Sequence, residues 1–382
     1  MAKILNNRGN RIYQGKMKRG KIKIFLFSVA FIAILSVFFP VFAFELDLEK
    51  RVFECTLKNG MKVLLMERHT SPTVSCFIRF KAGAVDEKTG NTGIAHFLEH
   101  LKFKGTKTLG TKNYNEEEKI LRKIDNVAVK RDALVLEDAK KNKEEIERLN
   151  VKLKELQKML KNYVIKDEIF SIYSKNGATG FNATTGQDIT SYMISLPSNR
   201  LELWLTIESD RMLNPVFREF YSERDVIMEE RRQTIDSKPH RKLLEHFLAT
   251  AFIAHPYGIP VIGWSGDMEF LCKQEVVKFN KTFYAPNNAV VAIVGDINIH
   301  HTLFLLKQYF EKIPARKLPP RVITKEPVQL GERRIKVALD AKPKLIMGFH
   351  KKTIPDFEDY VFDVIDSILS RGRTSRFYIN LI

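Results

Sequence analysis

The sequence predicts an α+β fold: a mainly antiparallel sheet flanked by helices, with a helical hairpin inserted into it. Three observations predict it. Short β-type runs are punctuated by turn residues, above all Arg51–Leu57 and Met61–Met66 around Asn59-Gly60, the strongest short hairpin signal. Amphipathic helical stretches such as Arg200–Leu213 alternate with those runs. Between Asn115 and Glu168 Gly and Pro are absent, acids and bases nearly balance, and Ile146, Leu149, Leu153, Leu156 and Leu160 form a heptad seam.

The elements follow in order. After the first hairpin comes a strand at Val74–Phe80, then a helical stretch from Gly93 to Phe103. The insert at 115–168 has a shorter upstream seam at Ile120, Ile124 and Val127, so an antiparallel pair folding back near Ala139–Lys143 is expected. Strands are expected at Gly180–Thr185 and Ile189–Leu196, joined by a turn at Gly186-Gln187-Asp188. Helices follow at Arg200–Leu213, Glu219 to Ile235 and Leu243–Ala254, and Val290–Gly295 is a buried strand by its continuous apolar run. Pro314, Pro319, Pro320 and Pro327 mark a linker. Beyond it, a strand at Lys342–Phe349, a loop at Thr353–Phe357 and a helix at Tyr360–Leu369 repeat the order of Thr73–Phe103. The copy has barely begun at Ile382.

Composition excludes several classes. With 382 residues, 44% hydrophobic and 28% charged, the chain is a folded protein long enough for two domains. Its 3 cysteines include no close pair, which argues against a disulfide scaffold and a thiolate metal site. The net charge of +18 suggests nucleic acid, but eight of the cations lie in the first 23 residues with no acid, leaving +10 spread without an aromatic-interleaved basic stripe. No nucleic-acid partner is expected. The apolar run Ile24–Phe39 follows those cations, then Pro40 and Val41-Phe42-Ala43. Residues 1–43 are read as a secretory signal peptide, or, with the run extended through 24–44, as a retained membrane anchor. Both place the remainder outside the cytoplasm, periplasmic or secreted if cleaved.

The sharpest chemical signal is His96-Phe97-Leu98-Glu99-His100. At 100° per residue, His96, Glu99 and His100 share one helix face, while Ile94, Phe97, Leu98 and Leu101 occupy the other. Two imidazoles at i and i+4 direct ring nitrogens to one metal ion, with the Glu beside it as a base rather than a ligand.

This motif, with Gly93-Ile94-Ala95 before it and Phe103-Lys104-Gly105-Thr106 after it, resembles the pitrilysin/insulinase peptidases, family M16, whose zinc motif is inverted. The resemblance extends through Gly180-Phe181-Asn182-Ala183-Thr184, Glu223–Glu230, His255-Pro256-Tyr257-Gly258 and Tyr284-Ala285-Pro286-Asn287-Asn288 to Val294-Gly295-Asp296. It implies the family's metallohydrolase (LuxS/MPP-like) fold and one Zn2+ per chain. It also implies a third ligand, a Glu seven residues after another acid. Glu230 and Glu223 fit that spacing on one helix face, Glu230 as ligand and Glu223 steadying the site, whereas Glu229 points about 100° away. The interval from His100 to Glu230 exceeds the family's, and the insert accounts for the excess.

The resemblance further implies a zinc-dependent metalloendopeptidase. Zinc held by His96, His100 and Glu230 keeps a position open for water, whose pKa falls toward about 7. Glu99 takes the water's proton and later passes it to the leaving amine. The peptide substrate adds as a strand along a sheet edge at Asn182-Ala183-Thr184, with Asn182 and Ala183 holding its backbone. Family members close as a clamshell of two halves. Residues 44–315 are therefore expected to be the N-terminal catalytic domain with its insert at 115–168, and 316–382 a linker and the incomplete start of a second domain. Either the sequence is a fragment, or a second subunit or homodimer completes the enzyme. The alternative is a non-catalytic partner or scaffold subunit that docks through the hairpin.

Overall fold

A computed structural model of the chain describes residues 48–382. The signal or anchor region, residues 1–43 and 24–44, lies outside the described residues. Contacts divide the chain into a first unit, residues 1–52, and a second, residues 53–382. Of the first, the described part is a single helical turn, Leu48–Arg51. Among the described residues, no helix is long and apolar enough to cross a membrane.

The second unit is built on one six-stranded sheet. Its strands are β1 (Phe53–Thr56), β2 (Lys62–Glu67), β3 (Thr73–Phe80), β4 (Thr179–Thr185), β5 (Thr190–Pro197) and β6 (Ala289–Gly295), in the order β1-β2-β6-β3-β5-β4. Every pairing is antiparallel except β2 with β6. The expected α+β class and mainly antiparallel sheet are thus observed. Gly60 makes the first turn, at φ 84°, and a Cβ there would lie 2.7 Å from Asn287. Period-two alternation buries Val74, Cys76, Ile78 and Phe80 of β3 with Val291 and Ile293 of β6.

The helices that matter for the site are α1 (Ile94–Lys102), α2 (Tyr114–Asp138), α3 (Lys143–Leu160), α4 (Glu168–Lys175), α5 (Leu201–Leu213), α6 (Phe220–Arg231) and α7 (Pro239–Ala251). The apolar face of α1 is fully used: Ile94, Phe97, Leu98 and Leu101 are all buried. The insert is the expected hairpin, α2 and α3 reversing at residues 139–142. Leu149, Leu153, Leu156 and Leu160 are buried with Ile120, Ile124 and Val127, as the seam requires. Its first arm, α2, is bolted to the rest of the unit at both ends. Glu117 of α2 and Arg218, both without exposed surface, form an ion pair, and Asp132 pairs with Arg224 of α6 at 2.9 Å.

The expected strand at Lys342–Phe349 does not form. That segment is extended but unpaired, since no neighbouring strand among the described residues offers it a ladder. It belongs to a stretch laid against α7 instead. Glu326 accepts the N–H groups of Ile253, Ala254 and His255, each at 3.0 Å, and Arg333 donates to the carbonyl of Ala251 at 2.5 Å. The expected terminal helix is present at Phe357–Ser370.

Candidate active site

The start of α1 is fixed before its chemistry begins. Glu87 is buried, and its two carboxylate oxygens accept the backbone N–H groups of Gly93 at 2.7 Å and Ala95 at 2.8 Å. This satisfies orphan donors of the first turn. Burial nevertheless pushes the Glu87 carboxyl up to about 8. Gly93 is required at φ 89°, where a Cβ would lie 2.6 Å from the carbonyl oxygen of Ile262.

From that start, α1 presents its polar face to α6 and to the end of β4. His96 Nε2 lies 3.7 Å from one carboxylate oxygen of Glu230, and His100 Nε2 lies 3.5 Å from the other. Glu223, two turns earlier on α6, accepts a hydrogen bond from His100 Nδ1 at 3.0 Å and one from Lys104 Nζ at 2.6 Å. With Nδ1–H given to Glu223, the Nε2 lone pair of His100 faces Glu230. Glu99 is buried beside them and accepts from Thr185 Oγ1 at 2.5 Å. Thr185 is the last residue of β4, so α1 and the sheet edge meet at this carboxylate.

The electrostatics of the metal-free site follow from burial and pairing. Burial, then the neighbouring His100, lowers His96 to about 4, which leaves a neutral ring with a lone pair at physiological pH. Burial opposes the charge on His100, but the hydrogen bond and charge of Glu223, with Glu230 and Glu99, hold its pKa above the ordinary histidine range. Burial also raises Glu99, against the Thr185 hydrogen bond. Glu223 goes the other way: despite burial, the hydrogen bonds from His100 and Lys104 keep it ionised to lower pH.

The structure brings His96, His100 and Glu230 together, the first two expected from the motif's spacing and Glu230 from the family resemblance, with their nearest donor atoms all within 4.8 Å of one another. Glu223 stands against His100, and Glu229 points away into an exposed pair with Arg232 at 2.6 Å. The 3.5 and 3.7 Å separations are too long for hydrogen bonds. They are close to the edge of a tetrahedron with metal–ligand bonds of about 2.0–2.1 Å, roughly 3.3–3.4 Å. A His-His-Glu set facing a cleft therefore fits zinc, with room for a further ligand. Asn182 and Ala183 lie on β4, the free edge of the sheet, Asn182 exposed and Ala183 buried. Sequence reasoning missed Glu87, Lys104 and Thr185. Glu87 and Lys104 lie on turns flanking α1, and Thr185 approaches only through the tertiary fold.

The comparisons agree with this geometry. A family model described as "Insulinase (Peptidase family M16)" matches residues 62–142 and 156–264, leaving out part of the hairpin. A second, "Peptidase M16 inactive domain", matches 271–382. The chain is 28% identical over 327 residues to "Zinc protease PqqE" of Helicobacter pylori, covering 84% of this chain and 61% of that protein. It is 24% identical to a "Probable mitochondrial-processing peptidase subunit beta" of Schizosaccharomyces pombe, covering 67% of this chain and 44% of that one. Among solved structures, a protease from Helicobacter pylori matches with a TM-score of 0.65 and 26% identity, over 86% of this chain and 68% of that chain. Together the two family models run from β2 to residue 382, the first spanning both the inverted motif and the acidic helix: the chain belongs to peptidase family M16, the insulinase family.

Proposed function

We propose that this chain is the catalytic part of a zinc-dependent metalloendopeptidase, with His96, His100 and Glu230 as metal ligands and Glu99 as general base. The single observation that carries the proposal is the convergence of two Nε2 atoms and one carboxylate, from helices far apart in sequence, at ligand spacing rather than hydrogen-bond spacing. The zinc protease named among the relatives supports the choice of metal.

Zinc supplies Lewis acidity toward a water and toward the peptide carbonyl. The chain's own residues do the rest. Glu99, held by Thr185 and partly desolvated, takes a proton from the attacking water and returns it to the leaving amine. Glu223 and Lys104 hold the His100 ring in one orientation. The free edge of β4 runs to Thr185, so a peptide added there as a strand brings its carbonyl past Glu99, with Asn182 and the Ala183 backbone contacting it.

The chain spans 61% of the length of the Helicobacter pylori relative. We take residues 44–315 as the catalytic domain and 316–382 as the linker and start of a second, and a further M16-type half, covalent or as a subunit, as the partner that closes the site. The relative named as a subunit supports that arrangement. The basic segment and apolar run of residues 1–43 support action on peptides or unfolded proteins outside the cytoplasm. The test is metal content with cleavage of an unstructured fluorogenic peptide. About one zinc per chain is expected, and Glu99→Gln should keep it while losing roughly 10²–10⁴-fold in kcat. Unchanged turnover in that variant would remove Glu99 from the mechanism.

A further inference from the structure

A cavity of about 630 Å³ opens beside His96, Glu230 and Thr185, and its chemistry is divided. Ile235, Leu244, Leu248 and Ile259 supply an apolar part; Lys238, His240 and Arg241 supply a polar one. The fold builds this wall directly from the ligand helix. After Arg231, α6 passes into a π turn at Arg232–Asp236, and α7 starts at Pro239. Single π turns recur at functional sites because they re-aim the chain that follows them. The opposite wall, Gly258 to Ile262, is tied to the β4–β5 turn by Gln187 donating to the Ile259 carbonyl at 3.0 Å and Tyr257 donating to Asp188 at 2.7 Å.

Charge pairing separates the cations of this stretch into two groups. Arg231 pairs with Glu245 at 2.7 Å, Arg232 with Glu229 at 2.6 Å, and Lys242 with Asp236 and Glu245, both at 2.9 Å. The side chains of Lys238, His240 and Arg241 have no acidic partner among the described residues, and all three are exposed at the cavity. Of the nearby acids, Asp236 and Glu245 are committed to those pairs, and Glu230 faces the two histidines. Because His96 and Thr185 line this cavity, it adjoins the end of the β4 edge at which the proposed peptide strand would pass Glu99.

We infer that this cavity is a substrate subsite selective for a carboxylate, received through an aliphatic stem against the apolar part and bound by Lys238 and Arg241. The inference rests on the peptidase reading above and names the substrate feature that reading leaves open. Two sources carry that group, a Glu or Asp side chain and the free C-terminus of a short peptide.

The experiment uses the full chain carrying Glu99→Gln, zinc-loaded, and measures binding of uncleaved ten-residue peptides by fluorescence anisotropy. Amidated peptides carry Glu, Gln or Lys at each central position in turn, and one Gln peptide keeps a free C-terminus. One register should favour Glu over Gln by roughly five-fold or more, the range of one or two partly exposed ion pairs. The preference should shrink between low and high salt. The double variant K238E/R241E should reverse it toward Lys, and K238Q/R241Q should erase it. A gain confined to the free C-terminus supports the subsite with the terminal carboxylate as its ligand. No discriminating register, or a Glu preference that survives both double variants, overturns the inference. Cleavage assays on the chain with Glu99 intact separate the two readings. Hydrolysis without any carboxylate preference removes the subsite alone. A binding preference without hydrolysis removes the peptidase alone.

Discussion

Near the start of α6, the side chain of Glu223 is 8% exposed, and both its oxygens are spoken for by His100 Nδ1 at 3.0 Å and Lys104 Nζ at 2.6 Å. Two turns on, Glu230 is 36% exposed, with its oxygens 3.5 and 3.7 Å from two imidazole nitrogens and within hydrogen-bond distance of neither. The same side chain on one helix face thus serves opposite ends. A satisfied carboxylate fixes the ring it holds; an unsatisfied one, beyond hydrogen-bond reach of either ring, stays available to a cation. The helix is tied down at both ends: near Glu223 by Arg224 to Asp132 and, just upstream, Arg218 to Glu117, and beside Glu230 by Arg231 to Glu245 at 2.7 Å, where α6 passes into the π turn at the cavity.

The largest effects should separate these two ends. Glu230→Ala removes a ligand and should abolish stable zinc binding, with peptide cleavage falling by three orders of magnitude or more (roughly the loss of metal catalysis). Glu223→Gln removes only the support for His100 and should weaken zinc by about 10–100-fold, leaving saturating zinc able to restore most turnover. Competition with a chelating dye reads both. Equal losses from the two substitutions would show that Glu223 is itself a ligand and that the difference between the ends is illusory.

How far the sequence announces this depends on the range of each interaction. His96, Glu99 and His100 are legible because helical spacing alone puts them on one face; Glu230 and Glu223 are legible only through the family resemblance, which their i and i+7 positions on one face then fit. The hairpin is legible because its seam is local to the insert. Thr185 and Lys104 act on Glu99 and Glu223 across the fold, and no local pattern encodes the approach. The strand expected at Lys342–Phe349 failed for the same reason in reverse: its apolar run is local, but a strand needs a partner, and this segment packs on α7 without one.

Glu87 offers a third case, a carboxylate that supports α1 as Glu223 does but with amides instead of cations. Its folded pKa is raised from 4.5 to about 8, so between those values the folded state binds more protons than the unfolded one. Stability should therefore fall as pH climbs through that window, by up to about 1.4 kcal/mol per pH unit from this group. Urea denaturation of the metal-free chain at pH 5, 6.5 and 8 reads the slope, and Glu87→Gln should flatten it. An unchanged slope would place the pH dependence elsewhere and leave Glu87 a permanently ionised helix cap.

The smallest effect is expected at the far end of the hairpin. Along its length α2 is held to the rest of the fold by charge: Glu117 to Arg218 in full burial near the base, then the partly buried pairs Asp125 to Lys273 at 3.0 Å and Asp132 to Arg224 at 2.9 Å. Near the tip the ties between α2 and α3 are exposed ones, such as Lys130 with Glu145, whose side chains are 60% and 39% exposed. An exposed pair of that kind contributes little, whereas breaking a buried one costs about 3–5 kcal/mol. Replacing residues 135–146 with a short Gly-Ser turn removes the tip and leaves all three pairs to the rest of the fold in place. Zinc affinity should then change less than about two-fold, because the constraints on α6 run through Arg224 and Arg218 and not through the tip. Arg224→Ala, in contrast, leaves Asp132 with Arg131 alone and removes its tie to α6. It should lower the melting temperature by several degrees and weaken zinc alongside. If removing the tip weakens zinc as much as Arg224→Ala does, the rigidity of the Glu223 end does not come from the Arg224 and Arg218 ties alone, and the whole hairpin acts as the brace that holds α6.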